Sequence, residues 1–132
     1  MWRVIKDFYR STRCKIRVGK GVTEEFSVEK GVKQGAVLSP LLSSIYINPL
    51  VKELGETGLG VKMGQGTIES LFYADDIVLL ADKPHKLQQL MDVVTRFGIR
   101  WRCEINRKKS RVVVYGDKRG IVKRKWMLGG GN

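Results

Sequence analysis

Histidine, cysteine and proline are scarce in this 132-residue chain, which has one, two and three of them respectively. Cys14 and Cys103 lie far apart, outside any Cys-x-x-Cys spacing and with no histidine beside them, which argues against a disulfide framework and a zinc site. The single His85 reads as a helix-surface residue. Long apolar runs are missing too. The longest, Ile77–Ala81, is far too short to cross a bilayer, and Arg3, Lys6, Asp7 and Arg10 interrupt anything like a secretory leader. The expectation is an intracellular protein, nuclear or cytoplasmic, with no membrane partner.

Acidic residues are in short supply: 13 against 25 Lys and Arg, a net charge of +12. The excess is uneven. Residues 96–132 hold 12 basic residues against Glu104 and Asp117, and residues 1–20 hold seven against Asp7, whereas the middle is nearly neutral. Two basic ends around a neutral middle suit a polyanion held at the margins of a core, and equally a solvated surface with a basic tail. Charge alone does not choose between them. A hydrophobic content of 42% fits one folded domain rather than a disordered chain.

Trp2, Ile5, Phe8 and Tyr9 recur at helical spacing, so residues 1–12 read as an amphipathic helix. Cys14, Ile16 and Val18 alternate with basic residues as in a half-buried strand. Gly19-Lys20-Gly21 turns the chain, and Phe26 and Val28 mark the return. Residues 31–37 form a loop, and Ser39-Pro40 is a helix start. That helix carries a wide apolar face (Leu41, Leu42, Ile45, Tyr46, Leu50, Val51, Leu54), with Gly55 as its stop and Pro49 expected to kink or shorten it. Residues 61–63 and 67–73 read as strands around a Gly64–Gly66 turn, and residues 77–81 as another strand. Residues 82–97 form a helix burying Leu87, Leu90, Met91, Val94 and Phe97, closed by Gly98. Cys103, Ile105 and residues 112–115 suggest further strand, and the basic, glycine-ended residues 117–132 a mobile tail. The expected class is α+β: a small antiparallel sheet with helices packed on one face.

Within this frame the most informative stretch is residues 71–80, where Asp75 and Asp76 sit between two apolar, strand-forming runs. In mid-strand one of these carboxylates would enter the core unpaired, at a cost of several kcal/mol. At a hairpin tip both can project together, and a divalent cation relieves their mutual repulsion. Mg²⁺ prefers such oxygen ligands, and two ions about 3.5–4 Å apart can activate a hydroxyl and stabilise a leaving pyrophosphate. Aspartate is also simply common in turns. Spacing by itself leaves both readings open.

The flanking residues separate them. Phe72-Tyr73-Ala74-Asp75-Asp76 resembles the aromatic-Ala-Asp-Asp box of reverse transcriptases, in the form seen in non-LTR retrotransposons and group II intron-like elements. Upstream, residues 31–42 (GVKQGAVLSPLL) resemble the Gly-Val-Arg/Lys-Gln-Gly…Leu-Ser-Pro block. Downstream, Asn106-Arg107-Lys108-Lys109-Ser110-Arg111 is similar to the Asn-x-x-Lys-Ser/Thr-Lys segment, and residues 126–130 to the run before the primer grip. The order and spacing resemble those of the family across most of the chain.

The resemblance implies part of a polymerase palm over residues 1–116, followed by a basic tail (117–132) leading towards a thumb. It implies RNA-templated DNA synthesis with Mg²⁺ or Mn²⁺, on an RNA template, a DNA primer and deoxynucleotides. Asp75 would ligate metal and Asp76 assist, Phe72 and Tyr73 would place the hairpin beneath the primer end, and Gln34 and Gly35 would line the template and nucleotide pocket. Lys109 matches the position that meets the leaving pyrophosphate, although its basic run also suits simple phosphate contact. Arg96, Arg100, Arg102, Arg107, Lys108 and Arg111, with Trp101 among them, suit a nucleic-acid backbone or, more plainly, a solvated surface.

The family's upstream carboxylate, in a segment resembling Phe-x-x-Ala-Phe-Asp, has no match here, and neither do fingers or thumb. Asp7 reads as a surface residue. Ala36, where relatives often carry Asp or Cys, and Pro49 in the supporting helix depart from the pattern. A palm fragment inactive alone is therefore expected, its site completed by a partner chain or further segments. The rivals are a nucleic-acid-binding module without chemistry and an interaction fragment whose broken sheet edge needs a partner.

Overall fold

A chain with two kinds of apolar periodicity must find a core for each helix and each hairpin, and here it does so unevenly. The computed structural model describes residues 2–10, 12–28, 31–33, 35–116 and 125–129. It resolves into two compact units, residues 1–46 and residues 47–132.

In the first unit, helix α1 (Trp2–Arg10) is followed by strands β1 (Arg13–Cys14), β2 (Arg17–Val18), β3 (Gly21–Val22) and β4 (Phe26–Ser27). They form one antiparallel ribbon: Val18 faces Gly21 across the Gly19-Lys20 turn, and Cys14 faces Phe26 further along. Between the two short ladders, Thr23 donates its N–H to the Ile16 carbonyl while its Oγ1 accepts the Ile16 N–H. The ribbon runs where the alternation places it, but the expected half-burial is absent. Every strand residue is exposed, and so is Ile16. A two-stranded ribbon has no second layer of its own to cover either face.

Helix α2 (Ser39–Gly55) begins in the first unit and ends in the second, passing through Pro49 without stopping. Proline removes one hydrogen bond there, which the rest of the helix tolerates. The Ser39 hydroxyl does not cap the helix N–H groups; it turns back to the Lys33 carbonyl, 2.5 Å away. Gly55 is the last helical residue, and Thr57 closes the end by donating its hydroxyl to the Leu54 carbonyl. The wide apolar face is only partly used. Leu50 and Leu54 are buried, while Leu41, Ile45 and Val51 stay exposed.

In the second unit, strands β5 (Val61–Met63) and β6 (Gly66–Ile68) form one hairpin, and β7 (Ser70–Tyr73) and β8 (Asp76–Leu79) another. The expected strand 67–73 is thus broken at Glu69, whose carbonyl accepts the Leu80 N–H. Helix α3 (Pro84–Trp101) buries Leu90, Met91, Val93, Val94 and Phe97. Just ahead of it, a hydrogen bond and ion pair from Lys86 (2.8 Å) hold the Asp82 carboxyl below its ordinary pKa. The core joins Leu50 and Leu54 of α2 to Leu90, Val93, Val94 and Phe97 of α3, with Phe72, Ile77, Leu79 and Ile105 packed against it. The α+β class holds, with the antiparallel pairing among the described residues divided into four two-stranded ladders. No described helix is long and apolar enough to cross a membrane.

Three expectations are corrected downstream of the hairpins. Gly98 does not end α3 but lies buried inside it, and the helix stops at Arg102, which adopts the left-handed conformation (φ 53°). Residues 103–116 contain no strand; they form loop and turn. Residues 125–129, placed in a mobile tail by composition, lie along α3: Met127 exchanges two hydrogen bonds with the Gln88 side chain, and the Gly129 N–H donates to Thr95 Oγ1.

Gly98 has a different reason for being glycine. A Cβ there would come within 2.8 Å of the Cys103 carbonyl oxygen, a backbone atom that cannot step aside cheaply. Alanine in a helix interior ordinarily stabilises by about 1 kcal/mol. At this position we expect the reverse, a loss of about 1–2 kcal/mol for Gly98→Ala from overpacking. Urea denaturation measures it, and an unchanged or higher midpoint would show that the 98–103 contact is loose.

Candidate functional site

The β7–β8 hairpin pairs Ser70 with Leu79, Leu71 with Val78, Phe72 with Ile77 and Tyr73 with Asp76. Opposed residues share a face, so the register sorts the hairpin into two sides. Phe72, Ile77 and Leu79 face the core. Tyr73, Asp76, Leu71 and Val78 lie on the other side and are exposed, Tyr73 by 83%. Ala74 and Asp75 make the two-residue turn, and Asp75 is exposed like Asp76. Both carboxylates are therefore at the tip, outside the core, on a hairpin whose opposite face is anchored. The aromatic pair is divided: Tyr73 stands beside the carboxylates, whereas Phe72 roots the hairpin.

The turn is tight at a cost. Ala74 has φ 52°, a left-handed conformation that disfavours any side chain with a Cβ. Only a turn held from both sides keeps an alanine there, and the Phe72–Ile77 pair provides that hold. Strain of this kind is found where a tip must present particular groups.

Lys109 lies in a turn that its own motif builds. Asn106 Oδ1 and the Asn106 carbonyl both accept the Lys109 N–H, at 3.2 and 3.1 Å, and the Ser110 N–H and hydroxyl donate to that same carbonyl. An Asn at i whose side-chain oxygen accepts the N–H of residue i+3 has a capping geometry, which gives the Asn-x-x-Lys spacing a physical meaning. Arg111 closes the turn by donating from one guanidinium nitrogen to the Lys108 and Ser110 carbonyls (2.6 and 2.8 Å).

The basic set is less uniform than its spacing. Arg100 pairs with Glu53 at 2.7 Å, Arg102 serves as the left-handed cap of α3, and the Arg107 stem passes Gly129. Arg96 and Lys108 have exposed side chains, and Trp101 stacks on Phe97 with ring centroids 5.7 Å apart. In the first unit Gly35 has φ 77°, so glycine is required there by conformation, with open space around it. Gln34 lies outside the described residues.

Sequence reasoning overlooked what holds the loop around Gly35. Lys33 Nζ lies 3.9 Å from the centroid of the Phe8 ring, within cation–π range. The Lys33 carbonyl accepts the Ser39 hydroxyl and the Ala36 N–H, and Tyr9 Oη is 3.3 Å from the buried Ser39 Oγ. Only the adjacency of Phe8 and Tyr9 hinted at a partner.

A metal-binding reading can be tested on the donors themselves. Asp75 and Asp76 supply acceptor oxygens at an exposed tip, which suits a hard divalent cation. Among the described residues no group of three or more His, Cys, Asp or Glu side chains comes together to hold a metal ion. The pair thus fits part of such a site, not the whole.

Residues 1–126 match the family model for "Reverse transcriptase (RNA-dependent DNA polymerase)". The chain is 37% identical over 108 residues to the Pol polyprotein of the type-1 retrotransposable element R2 of Popillia japonica, covering 80% of this chain and 15% of that protein. It is 26% identical over 121 residues to the RNA-directed DNA polymerase of the mobile element jockey of Drosophila funebris, covering 87% of this chain and 13% of that protein. The chain therefore spans only about one seventh of these relatives' length.

The strained turn yields a direct expectation. Ala74→Gly removes the Cβ that disfavours φ 52° and leaves stability at or slightly above the parent, whereas Ala74→Val, β-branched, loses about 1–2 kcal/mol. Equilibrium denaturation of the two variants would expose a relaxed turn if they proved equally stable.

Proposed function

The chain belongs to the reverse transcriptase family, and from that membership we propose that it supplies the palm part of an RNA-directed DNA polymerase centre, carried by Asp75 and Asp76. Residues 1–116 are the palm portion in this reading, and residues 117–132 lead on towards the next part of the enzyme. The observation that supports it is the placement of both carboxylates at an exposed, strained hairpin tip anchored by Phe72 and Ile77.

Asp75 and Asp76 are the residues that would hold divalent cations, Mg²⁺ or Mn²⁺. When bound, such ions supply charge stabilisation and an activated 3′-hydroxyl in nucleotidyl transfer. This chain's own residues do the positioning. Tyr73, on the same face as Asp76, meets the primer end, while Phe72 holds the strand that carries them. By the family resemblance Gly35, and Gln34 outside the described residues, would serve template and nucleotide binding. Lys109, its backbone fixed by Asn106, offers a cation to the leaving pyrophosphate. Arg96, Arg102, Arg107 and Lys108 contact phosphates of the RNA template and DNA primer; Arg100, paired with Glu53, and Arg111, which donates to the Lys108 and Ser110 carbonyls, add to the local positive charge.

Catalysis calls for at least one more carboxylate than the described residues bring together, so the chain in isolation binds primed template without extending it. The second reading, a nucleic-acid-binding module without chemistry, shares that binding and differs at the metal. Primer extension and binding of a primed RNA template, with Asp75→Ala as control, test the proposal. The expected outcome is salt-dependent binding by both proteins and extension by neither. Mn²⁺ should broaden the amide signals of residues 74–77 in the parent but far less in Asp75→Ala. Unbroadened signals would favour the binding module. Asp75-dependent extension would mean that this chain completes its own site.

A further inference from the structure

Gln88, Asp92 and Thr95 lie at i, i+4 and i+7 along α3, a polar stripe on a helix whose other side fills the core. The stripe is occupied. Gln88 Nε2 donates to the Met127 carbonyl at 2.8 Å, and Gln88 Oε1 accepts the Met127 N–H at 3.1 Å. An amide side chain thus pairs with the backbone of residue 127 as a neighbouring strand would. The second Nε2 proton goes to Asp92 Oδ1 at 2.9 Å. A carboxylate only accepts, so Asp92 fixes which end of the amide faces which backbone group. Further along, Thr95 Oγ1 accepts the Gly129 N–H at 2.9 Å. Gly129 itself has φ 80°, and a Cβ there would lie 3.7 Å from the Arg107 side chain.

We propose that Gln88, Asp92 and Thr95 are positioning residues: they hold Lys125–Gly129 against α3, so that Lys125 and Arg107 form a preset cationic contact for a nucleic-acid backbone. The ligand class rests on the nucleic-acid reading above; the contact does not. Lys125 opens the held segment with its side chain exposed, and the Arg107 stem runs past the segment's far end. A free segment would have to be ordered when nucleic acid binds, losing the conformational entropy that α3 has already removed here. Affinity is gained by preorganisation, through residues that need touch no phosphate themselves.

The test uses the full chain and charge-neutral variants, Gln88→Met and Thr95→Val, with Thr95→Ser as the conservative rescue. Amide exchange by NMR and fluorescence anisotropy on a labelled primed RNA–DNA duplex, titrated over salt, give independent readouts. In the variants, exchange at Met127 and Gly129 is expected to speed up about tenfold while Leu90 and Phe97 amides keep their protection. Affinity falls about three- to tenfold, and the slope of log affinity against log salt becomes shallower by about one. Thr95→Ser restores both. Unaltered exchange at Met127 and Gly129 would overturn the proposal, as would faster exchange with unchanged affinity and slope. A parent chain that binds no duplex, yet shows the exchange changes, would overturn the nucleic-acid role and the reading it rests on while leaving the contact in place.

Discussion

Everything at the hairpin tip depends on the apolar contact beneath it. Leu50, Leu54, Leu90 and Phe97 are almost wholly removed from water, and each such side chain contributes about 2 kcal/mol of burial. Phe72, Ile77 and Leu79 rest on that cluster from one side of the β7–β8 hairpin. Because a strand alternates its side chains, anchoring those three commits Tyr73 and Asp76 to the opposite face and leaves Asp75 at the turn. Two carboxylates can then sit next to the anchored hairpin residues in sequence without entering the core. The same anchoring offsets the left-handed Ala74, which a hairpin without backing would relax.

The second constraint is electrostatic. A net charge of +12 on 132 residues invites the idea of a uniformly cationic surface, but the structure gives many of these cations specific tasks. Lys33 lies over Phe8, Arg100 pairs with Glu53, Arg111 closes the 106–110 turn and Lys86 pairs with Asp82. Exposed pairs of this sort add little stability individually. Their effect is to fix loops and helix ends; Arg100 and Arg111 remain exposed in these roles, as Arg96 and Lys108 are.

Much of this was legible in the residues. Period-two alternation around short turns located both hairpins of the second unit, and the run Leu87–Phe97 located its main helix. The apolar runs on either side implied a hairpin tip over residues 74–76; the register keeps Asp75 in the turn but makes Asp76 the first residue of β8, opposite Tyr73. Less legible was anything depending on a contact partner far along the chain. Gly98 read as a stop because glycine usually ends helices, whereas its role is to admit the Cys103 carbonyl. Val112–Tyr115 had strand composition but pair with no strand among the described residues. The ribbon of residues 13–28 alternated as a half-buried strand does, yet its described residues are exposed.

The sequence alone determined the family, the α+β class and the pairing of Asp75 with Asp76, because these rest on residue identity and on spacings of a few residues. Tertiary structure alone decided which aromatic of the pair faces water, which arginines are engaged, and that Gln88 and Thr95 receive residues 127 and 129. Those outcomes depend on contacts between residues tens of positions apart. A polar side chain on a helix looks the same in sequence whether it meets solvent or a distant backbone, and only the folded chain brings the second partner to it.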